Sequence, residues 1–375
     1  MTKAPKHALA NVLENRIAII DGAMGTTIRT YGMKEADIRG ERFKDAKKDL
    51  LNNGDLFTLA RPDMIGDIHR RFLEAGADII ETNTFGATTI AQSEFFVDDP
   101  REHGGRKDPE FYRKVIADPF LKGLAWEINE QSARVAREWA DRVANETGWL
   151  RFVAGSIGPL TVSLSNSPDA GDPGFRVVTF DQVKAAYAEQ VRALIAGGPG
   201  AGVDLLLVET IFDTLNAKAA LVAIREVFDA EGRELPVMIS AAVGRGGETM
   251  ISAQTIEAFW NAVQHARPLA VGLNCSLGPD LMHPFLAELA RKVNVAVSCY
   301  PNAGLPNPLS ATGFDLGPED MARYLSEFAR EELINIAGGC CGNTPEHIAA
   351  IAKEVEGVPP RKIPADDSGA LENAA

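Results

Sequence analysis

Two adjacent cysteines near the C-terminal end are the residues of this sequence best suited to chemistry. Cys340 and Cys341 stand between glycines in NIAGGCCGNTPEHI (335–348), and the chain of 375 residues has 4 cysteines. A disulfide between neighbouring residues would close a strained ring, outside ordinary disulfide geometry. The pair is therefore a candidate for binding one metal ion or for dithiol redox chemistry, unless the pairing is incidental.

Other reactive side chains follow short apolar runs. They are Asp21 in DGAMGT, Glu81 and Asn83 in ETNTFGAT, Glu209 in VETIFD, Cys275 in GLNCSLGP, and Cys299 and Asn302 in CYPNAG. Three thiolates and one open position are a ligand set of catalytic zinc, whereas structural zinc sites are closed by four protein ligands. Because Cys299 lies within its run, we expect it to be a buried apolar residue and not a fourth ligand.

Eight apolar runs must position these residues. The runs are rich in Val, Ile and Leu, as parallel strands covered on both faces are, and amphipathic segments such as 64–78 and 321–333 follow them. This alternation predicts an α/β protein with a (β/α)8 TIM barrel, with a doubly wound open sheet as the alternative. The runs cover residues 16–20, 77–82, 151–157, 203–209, 236–241, 269–274, 295–300 and 334–339.

The barrel prediction explains how two adjacent cysteines could serve one site. Neighbouring side chains of a strand point to opposite faces, so Cys340 and Cys341 can converge only where the strand has ended. The flanking glycines permit such a turn, and Thr344 and Pro345 are typical of a helix that begins directly after it. Because active sites of this fold lie at the carboxyl ends of the strands, Cys275 belongs to the same rim. A zinc site and a dithiol redox centre both remain open at this point.

Two segments fall outside the repeat. Residues 1–356 are predicted to form the barrel, and residues 94–126 are predicted to be an insertion after the second strand. Such an insertion lies on the functional face, where it either shapes access to the site or decorates the surface. Residues 357–375 are rich in Pro and polar residues, which is typical of a flexible tail.

Composition excludes several classes of protein. The formal charge of −14 argues against nucleic acid or an anionic membrane surface as the main partner. The sequence has no apolar run of about 18 residues and no signal-peptide core at its start. Four cysteines do not make a disulfide framework, so we expect a reducing cytoplasm.

The sequence resembles the homocysteine S-methyltransferase family, and within it the homocysteine-binding module of cobalamin-dependent methionine synthases. The resemblance covers about residues 15–360, apart from the insertion. It is carried by DGAMGT, EADIRGERF, EAGADIIETNTFGATTIA, VETIFDTLNAKAA, GLNCSLGP, PNAGLPN and GGCCGNTPEHIAA. One departure is Asn343, where the family usually has threonine.

The resemblance implies a zinc-dependent methyltransferase of methionine biosynthesis that uses homocysteine as its substrate. The implied site residues are the zinc ligands Cys275, Cys340 and Cys341, the ammonium partners Asp21 and Glu209, the carboxylate-binding amides around Gly22 and Ala23, and Asn302 near the metal. Glu81 and Asn83 are expected to be hydrogen-bonding residues at the rim of the pocket.

The methyl donor implied by the resemblance is methylcobalamin. A cobalamin module should show Asp-x-His-x-x-Gly, but the nearest match, DIHRRF (67–72), has Phe72 in place of glycine. We therefore interpret His69 as a helix-surface residue. Methylcobalamin is expected on a partner chain, a cobalamin- and folate-binding methionine synthase subunit, and this chain is expected to be the split homocysteine subunit or an isolated module.

Several alternatives remain beside this hypothesis. Relatives that use S-methylmethionine or betaine as methyl donor share the cysteines. A non-catalytic subunit that presents homocysteine to a partner is also consistent with the sequence, and so is a redox protein that uses Cys340 and Cys341.

Overall fold

Eight parallel strands, each followed by one or more helices, form a barrel. The computed structural model describes residues 7–196, 200, 202–310 and 313–364. The strands are β1 (Ala18–Ile19), β2 (Ile79–Glu81), β3 (Phe152–Ile157), β4 (Leu205–Ile211), β5 (Val237–Ala241), β6 (Ala270–Asn274), β7 (Ala296–Tyr300) and β8 (Ile336–Ala337). Their order is β1-β8-β7-β6-β5-β4-β3-β2, and a parallel bridge between Ile20 and Ile79 joins the two outer strands. The TIM-barrel prediction is confirmed, and the open-sheet alternative is wrong.

Fourteen α-helices of the described residues pack around the barrel or, in the case of α1, across one of its ends. They are α1 (Ala8–Asn15), α2 (Met24–Thr30), α3 (Glu35–Arg39), α4 (Phe57–Ala60), α5 (Pro62–Glu74), α6 (Thr89–Phe96), α7 (Pro109–Ala117), α8 (Pro119–Thr147), α9 (Phe180–Leu194), α10 (Thr214–Glu231), α11 (Ile256–Val263), α12 (Pro279–Lys292), α13 (Pro318–Arg330) and α14 (Pro345–Val355). None of the helices in the described ranges is long and apolar enough to cross a membrane.

Alternate residues of each strand divide the core into two layers. In β4, Leu205 and Leu207 belong to the cluster that fills the barrel interior, whereas Leu206 and Val208 belong to the layer between strands and helices. Since side chains alternate along a strand, Glu209 continues the inward-facing series. By the same alternation, the carboxyl ends of the strands bring an inward layer of polar residues above the apolar interior: Glu81, Ser156, Glu209, Ser240, Asn274 and Tyr300.

Helix α1 closes the opposite end of the barrel. Its residues Leu9 and Leu13 are buried within the interior cluster, together with residues of the strands. Directly after this helix, Arg16 forms two hydrogen bonds of 2.7 Å with the carboxylate of Asp78. Because Asp78 also accepts the backbone N–H of Ile19, this ion pair ties the helix to the first two strands.

The segment predicted as an insertion is packed against the barrel. Residues 94–126 contain the end of α6, a 3-10 turn at Pro100–His103, all of α7 and the first part of α8. Helix α7 packs against α6, α8 and α9. Its role stays a prediction.

The predicted tail begins with an ordered portion. Arg361 is buried, and its guanidinium donates to the carbonyl oxygens of Ala290, Val293 and Val295 at distances of 2.6–3.1 Å. The remainder of the predicted tail, residues 365–375, lies outside the described residues.

The interpretation of His69 as a surface residue is wrong. Its side chain is fully buried in α5, and neither ring nitrogen has a hydrogen-bond partner within the described structure. Burial lowers the pKa of His69 to about 4, so the ring is neutral at physiological pH. The helical period explains the error, because His69 follows Ile65 by four residues and precedes Phe72 by three, on the apolar face.

Candidate active site

Three cysteine thiols meet at the carboxyl end of the barrel. The sulfur atoms of Cys275, Cys340 and Cys341 all lie within 4.8 Å of one another, and the Sγ atoms of Cys275 and Cys341 are 3.9 Å apart. Tetrahedral zinc with Zn–S bonds of about 2.3 Å requires sulfur atoms about 3.8 Å apart. The donor set and its spacing therefore fit a zinc ion with one position open.

Unusual backbone geometry after β6 places Cys275. Both Cys275 and Ser276 adopt left-handed conformations, with φ of 58° and 57°. Such values are uncommon for residues other than glycine and occur where the surrounding structure imposes them. The turn directs the Cys275 thiol towards the thiol of Cys341.

Close packing after β8 requires the glycines that flank the cysteine pair. A Cβ atom on Gly338 would lie 2.3 Å from Cγ2 of Ile20, and one on Gly339 would lie 2.1 Å from Cγ of Asn343. Gly342 has a φ of 85°, which favours glycine. The prediction that the two cysteines converge beyond the end of the strand agrees with this turn.

Asn343 braces the cysteine turn. Its side chain is fully buried, and Nδ2 donates to the carbonyl oxygens of Pro301 and Cys340, each at 3.0 Å. The main-chain carbonyl oxygen of Asn343 accepts the N–H of Ala23 at 3.2 Å. Asn343 thus joins the turns after β1, β7 and β8. The position at which this sequence departs from the family's usual threonine therefore supports the cysteine turn and is not one of the thiol residues.

Hydrogen bonds among the thiols favour negative charge at one of them. Interactions with Cys275 and then Cys340 lower the pKa of Cys341 to about 3. Cys299, by contrast, is fully buried on the outward face of β7, with its sulfur 3.6 Å from that of Met282. Burial raises its pKa, as expected of a core residue.

Three carboxyl groups lie together beside the thiols. The Oδ2 atom of Asp21 accepts the N–H of Glu81 at 3.0 Å, and Ser156 donates to Oε1 of Glu209 at 2.5 Å. Besides burial, the carboxyl group of Glu209 interacts with that of Glu81 and raises its pKa. The Oδ1 atom of Asp21 is buried and has no hydrogen-bond partner among the described residues.

Burial raises the pKa of all three carboxyl groups. For Glu81 and Asp21, the negative charge of Glu209 adds to the effect of burial. Burial raises the pKa of Glu209 to about 7, and the nearby Cys341 adds to it. A buried site with an unpartnered carboxylate oxygen and clustered acidic groups is suited to receive a cation, because a cation relieves both costs.

A cavity of about 570 Å³ joins the thiols to the carboxyl groups of Glu81 and Glu209, whereas Asp21 is not part of its lining. Its volume is within the usual range for small-molecule sites. Its lining includes Cys275, Cys340, Cys341, Glu81, Asn83, Glu209, Gly22 and Ala23, and, from the end of α6, Glu94 and Phe95.

Two of the predicted site residues, Asn302 and Ala23, are not free to contact a ligand in this structure, contrary to the expectation from the sequence. Asn302 is absent from the cavity lining, and its Oδ1 atom is buried without a hydrogen-bond partner in the described structure. The N–H of Ala23 already donates to Asn343. A Cβ on Gly22 would lie 2.7 Å from the carbonyl oxygen of Asn343, so this turn is closely packed.

Sequence reasoning missed part of the inward polar layer. Ser156, Ser240, Asn274 and Tyr300 face the interior beside the predicted site, and the hydroxyl of Tyr300 is buried without a partner in the described structure. Each of them stands at the carboxyl end of its run or one residue before it, and this position could have singled them out.

The fold and the site together define a (β/α)8-barrel protein with a three-thiol centre at the carboxyl ends of its strands. The sequence model of the homocysteine S-methyltransferase family matches residues 18–355. The chain therefore belongs to the homocysteine S-methyltransferase family and is an enzyme of that family.

Solved structures show the same fold. The metallated form of the homocysteine methyltransferase MmuM from Escherichia coli is 19% identical, with a TM-score of 0.64, over 93% of this chain and 99% of that chain. The oxidized form of the same protein has a TM-score of 0.63 at the same identity and coverage.

Proposed function

We propose that this enzyme methylates homocysteine with methylcobalamin to give methionine. We further propose that it is the homocysteine subunit, or the isolated homocysteine module, of a split cobalamin-dependent methionine synthase. The observation that carries the proposal is one cavity lined by the three thiols and by the buried carboxyl groups of Glu81 and Glu209, with the carboxyl group of Asp21 directly behind Glu81. Homocysteine offers a thiol and an ammonium group, which suit these two clusters.

Zinc is the metal that the thiol cluster suits best. Cys275, Cys340 and Cys341 would hold it, as their sulfur spacing fits tetrahedral coordination. Zinc at this position would lower the pKa of the homocysteine thiol, so that its sulfur is nucleophilic at neutral pH. A separate protein base is then unnecessary.

The carboxyl cluster is proposed to bind the ammonium group of homocysteine. The unpartnered oxygen of Asp21 and the carboxylate of Glu209 would accept charge-assisted hydrogen bonds, which are stronger than neutral ones. The amide of Gly22 is proposed to bind the substrate carboxylate. Ala23 can contribute its amide only if it releases Asn343, and Asn302 is proposed to act near the metal.

The methyl transfer exchanges one bond for another. With methylcobalamin as donor, the sulfur of homocysteine would attack the methyl carbon, so that the S–C bond forms as the Co–C bond breaks. The electron pair of the broken bond would leave with the corrinoid as cob(I)alamin, and the thiol proton would already have gone to solvent. The donor must approach the sulfur from the mouth of the barrel, because α1 fills the other end.

The proposal of a partner-borne cobalamin rests on His69 as well. The nearest match in the sequence to the cobalamin-binding motif contains His69 as its histidine. The ring of His69 is buried within α5. A fully buried ring is not available as an axial ligand of a docked corrin. Methylcobalamin is therefore proposed to be carried by a cobalamin- and folate-binding subunit.

The test mixes zinc-replete protein with homocysteine and free methylcobalamin and follows the cobalamin absorbance. We expect loss of the methylcobalamin spectrum with stoichiometric formation of methionine. Cys340→Ser should abolish the reaction, whereas Cys299→Ser, which changes a cysteine outside the cluster, should retain it.

Other results would contradict parts of the proposal. Turnover with S-methylmethionine or betaine, but not with methylcobalamin either free or on a candidate partner, would replace the donor. Reversible loss of two thiols with an oxidant, without zinc binding or methyl transfer, would favour the redox alternative. Binding of zinc and homocysteine without turnover with any donor would favour a non-catalytic subunit.

A further inference from the structure

Asn274 is the most highly connected side chain of the inward polar layer. It is fully buried at the end of β6, and its Oδ1 atom accepts hydrogen bonds from Oγ of Ser240 at 2.7 Å and from the N–H of Thr210 at 3.1 Å. Its Nδ2 atom donates to Oγ1 of Thr210 at 2.8 Å and points towards Sγ of Cys340 at 4.0 Å. The amide thus uses two donors and two acceptor positions, its full hydrogen-bonding capacity.

The bonds to Thr210 support an irregular part of β4. The register with β5 shifts between Val208 and Ile211, so Glu209 and Thr210 form a bulge. Thr210 has a φ of 54°, an outlying value for a β-branched residue. Asn274 accepts the Thr210 N–H and donates to the Thr210 hydroxyl. The first of these bonds takes the place of the backbone hydrogen bond that a regular strand pairing would give the Thr210 N–H.

The same side chain connects the two halves of the proposed site. Thr210 is the neighbour of Glu209, the carboxyl residue proposed to bind the ammonium group. Cys340 is a thiol of the metal centre, and Cys275, a second thiol, follows Asn274 directly in the chain. Asn274 therefore touches the thiol end of the site and the backbone that carries its ammonium end.

We propose that Asn274 is a positioning residue that sets the distance between the thiol centre and the Glu209 carboxylate. It thereby makes the site selective for thiols that carry an ammonium group at the spacing found in homocysteine. A second effect is an N–H···S hydrogen bond that steadies the Cys340 thiolate. The inference rests on the proposed function, because it assumes that Glu209 binds the substrate ammonium group.

The test compares two ligands in the zinc-replete protein by calorimetry. Homocysteine carries the ammonium group, whereas 4-mercaptobutyrate is the same thiol acid without it. We expect the wild type to prefer homocysteine, and Asn274→Ala to reduce this preference about tenfold or more, as the loss of one well-placed charged contact would. Thr210→Val should reduce the preference by a smaller factor, because it keeps Asn274 and removes one of its bonds.

A spectroscopic measurement separates positioning from general destabilisation. In the Co²⁺-substituted proteins, Asn274→Ala should shift the sulfur-to-metal charge-transfer band, since the Cys340 thiolate loses a donor. Thr210→Val should leave the band in place. Ser298→Ala, which removes an interior hydroxyl without a partner in the described structure, is the matched control and should change neither readout.

Each outcome decides the inference. An unchanged ligand preference in both Asn274→Ala and Thr210→Val, with metal bound, overturns it while the proposed function stands. Equal binding of the two ligands by the wild type overturns the ammonium contact of the proposed function, and the inference falls with it. If Asn274→Ala does not fold, the result of Thr210→Val decides.

Discussion

The four cysteines differ in their surroundings, which distinguishes the three of the thiol cluster from Cys299. Cys275, Cys340 and Cys341 contact the cavity, whereas Cys299 packs against Met282 in the core. We expect Cys341→Ser to lose bound zinc, because the substitution removes one of the three thiolate ligands. Elemental analysis after dialysis measures the zinc content. Cys299→Ser should keep one zinc ion per chain and lose about 1–3 kcal/mol of unfolding free energy, since a buried hydroxyl replaces a thiol. Full zinc retention by Cys341→Ser would contradict the assignment of the ligands.

The carboxyl group of Asp55 gives a pH dependence of stability. Burial raises its pKa to about 7, and its one recorded hydrogen bond comes from the N–H of Gly86 at 2.9 Å. Between about pH 4 and pH 7 the folded state keeps a proton that the unfolded chain has lost, so stability falls as the pH rises. The slope from one such group is at most about 1.4 kcal/mol per pH unit.

Chemical denaturation at several pH values tests this dependence. Asp55→Asn should flatten the decline across the window and be more stable than the wild type near pH 7. Asp63→Asn is the control. Hydrogen bonding to Arg61 lowers the pKa of Asp63, so the contribution of Asp63 to stability is lost as the pH falls and not as it rises. A decline in Asp55→Asn as steep as that of the wild type would rule out Asp55 as its source.

Among the structural elements, the strands were predictable from sequence and part of the site was not. All eight strands lie within or overlap the apolar runs, because strands covered on both faces must be continuously apolar. The layer that holds Asn274 and Ser240 was missed, since its hydrogen bonds join strands far apart in sequence. The error at His69 has another cause: polarity was given more weight than helical phase.

The turn after β8 is the element whose local shape most constrains the site. Gly338→Ala places a Cβ against Ile20, so we expect a loss of about 2–4 kcal/mol in unfolding free energy and weaker zinc binding. Gly123 in α8 is the matched control, because a Cβ there has open space around it. Gly123→Ala should be neutral or stabilise the protein by up to about 1 kcal/mol. Equal stability of the two variants, measured by urea denaturation, would contradict the close packing of the turn.

At the scale of the whole molecule, Arg361 fastens the last described segment to the barrel. Among the described residues, its guanidinium donates to main-chain carbonyl oxygens at the end of α12 and just after it. We expect Arg361→Ala to cost about 2–4 kcal/mol, because several buried acceptors lose their donor. The exposed Arg330, whose distance to Glu354 is 4.0 Å, is the control and should change stability by less than about 0.5 kcal/mol when replaced by alanine. Thermal unfolding of both variants provides the comparison.

The closure of one end of the barrel by α1 has a kinetic consequence. Leu9 and Leu13 fill the interior from below, so homocysteine, the methyl donor and methionine all use the opposite opening. If a large partner carries the donor, as proposed above, that partner covers the opening while the donor reacts. Homocysteine must then enter first, and methionine can leave only after the partner withdraws, which gives a compulsory order of binding and release. The departure of the partner, and not the methyl transfer, then becomes a natural point at which turnover is limited.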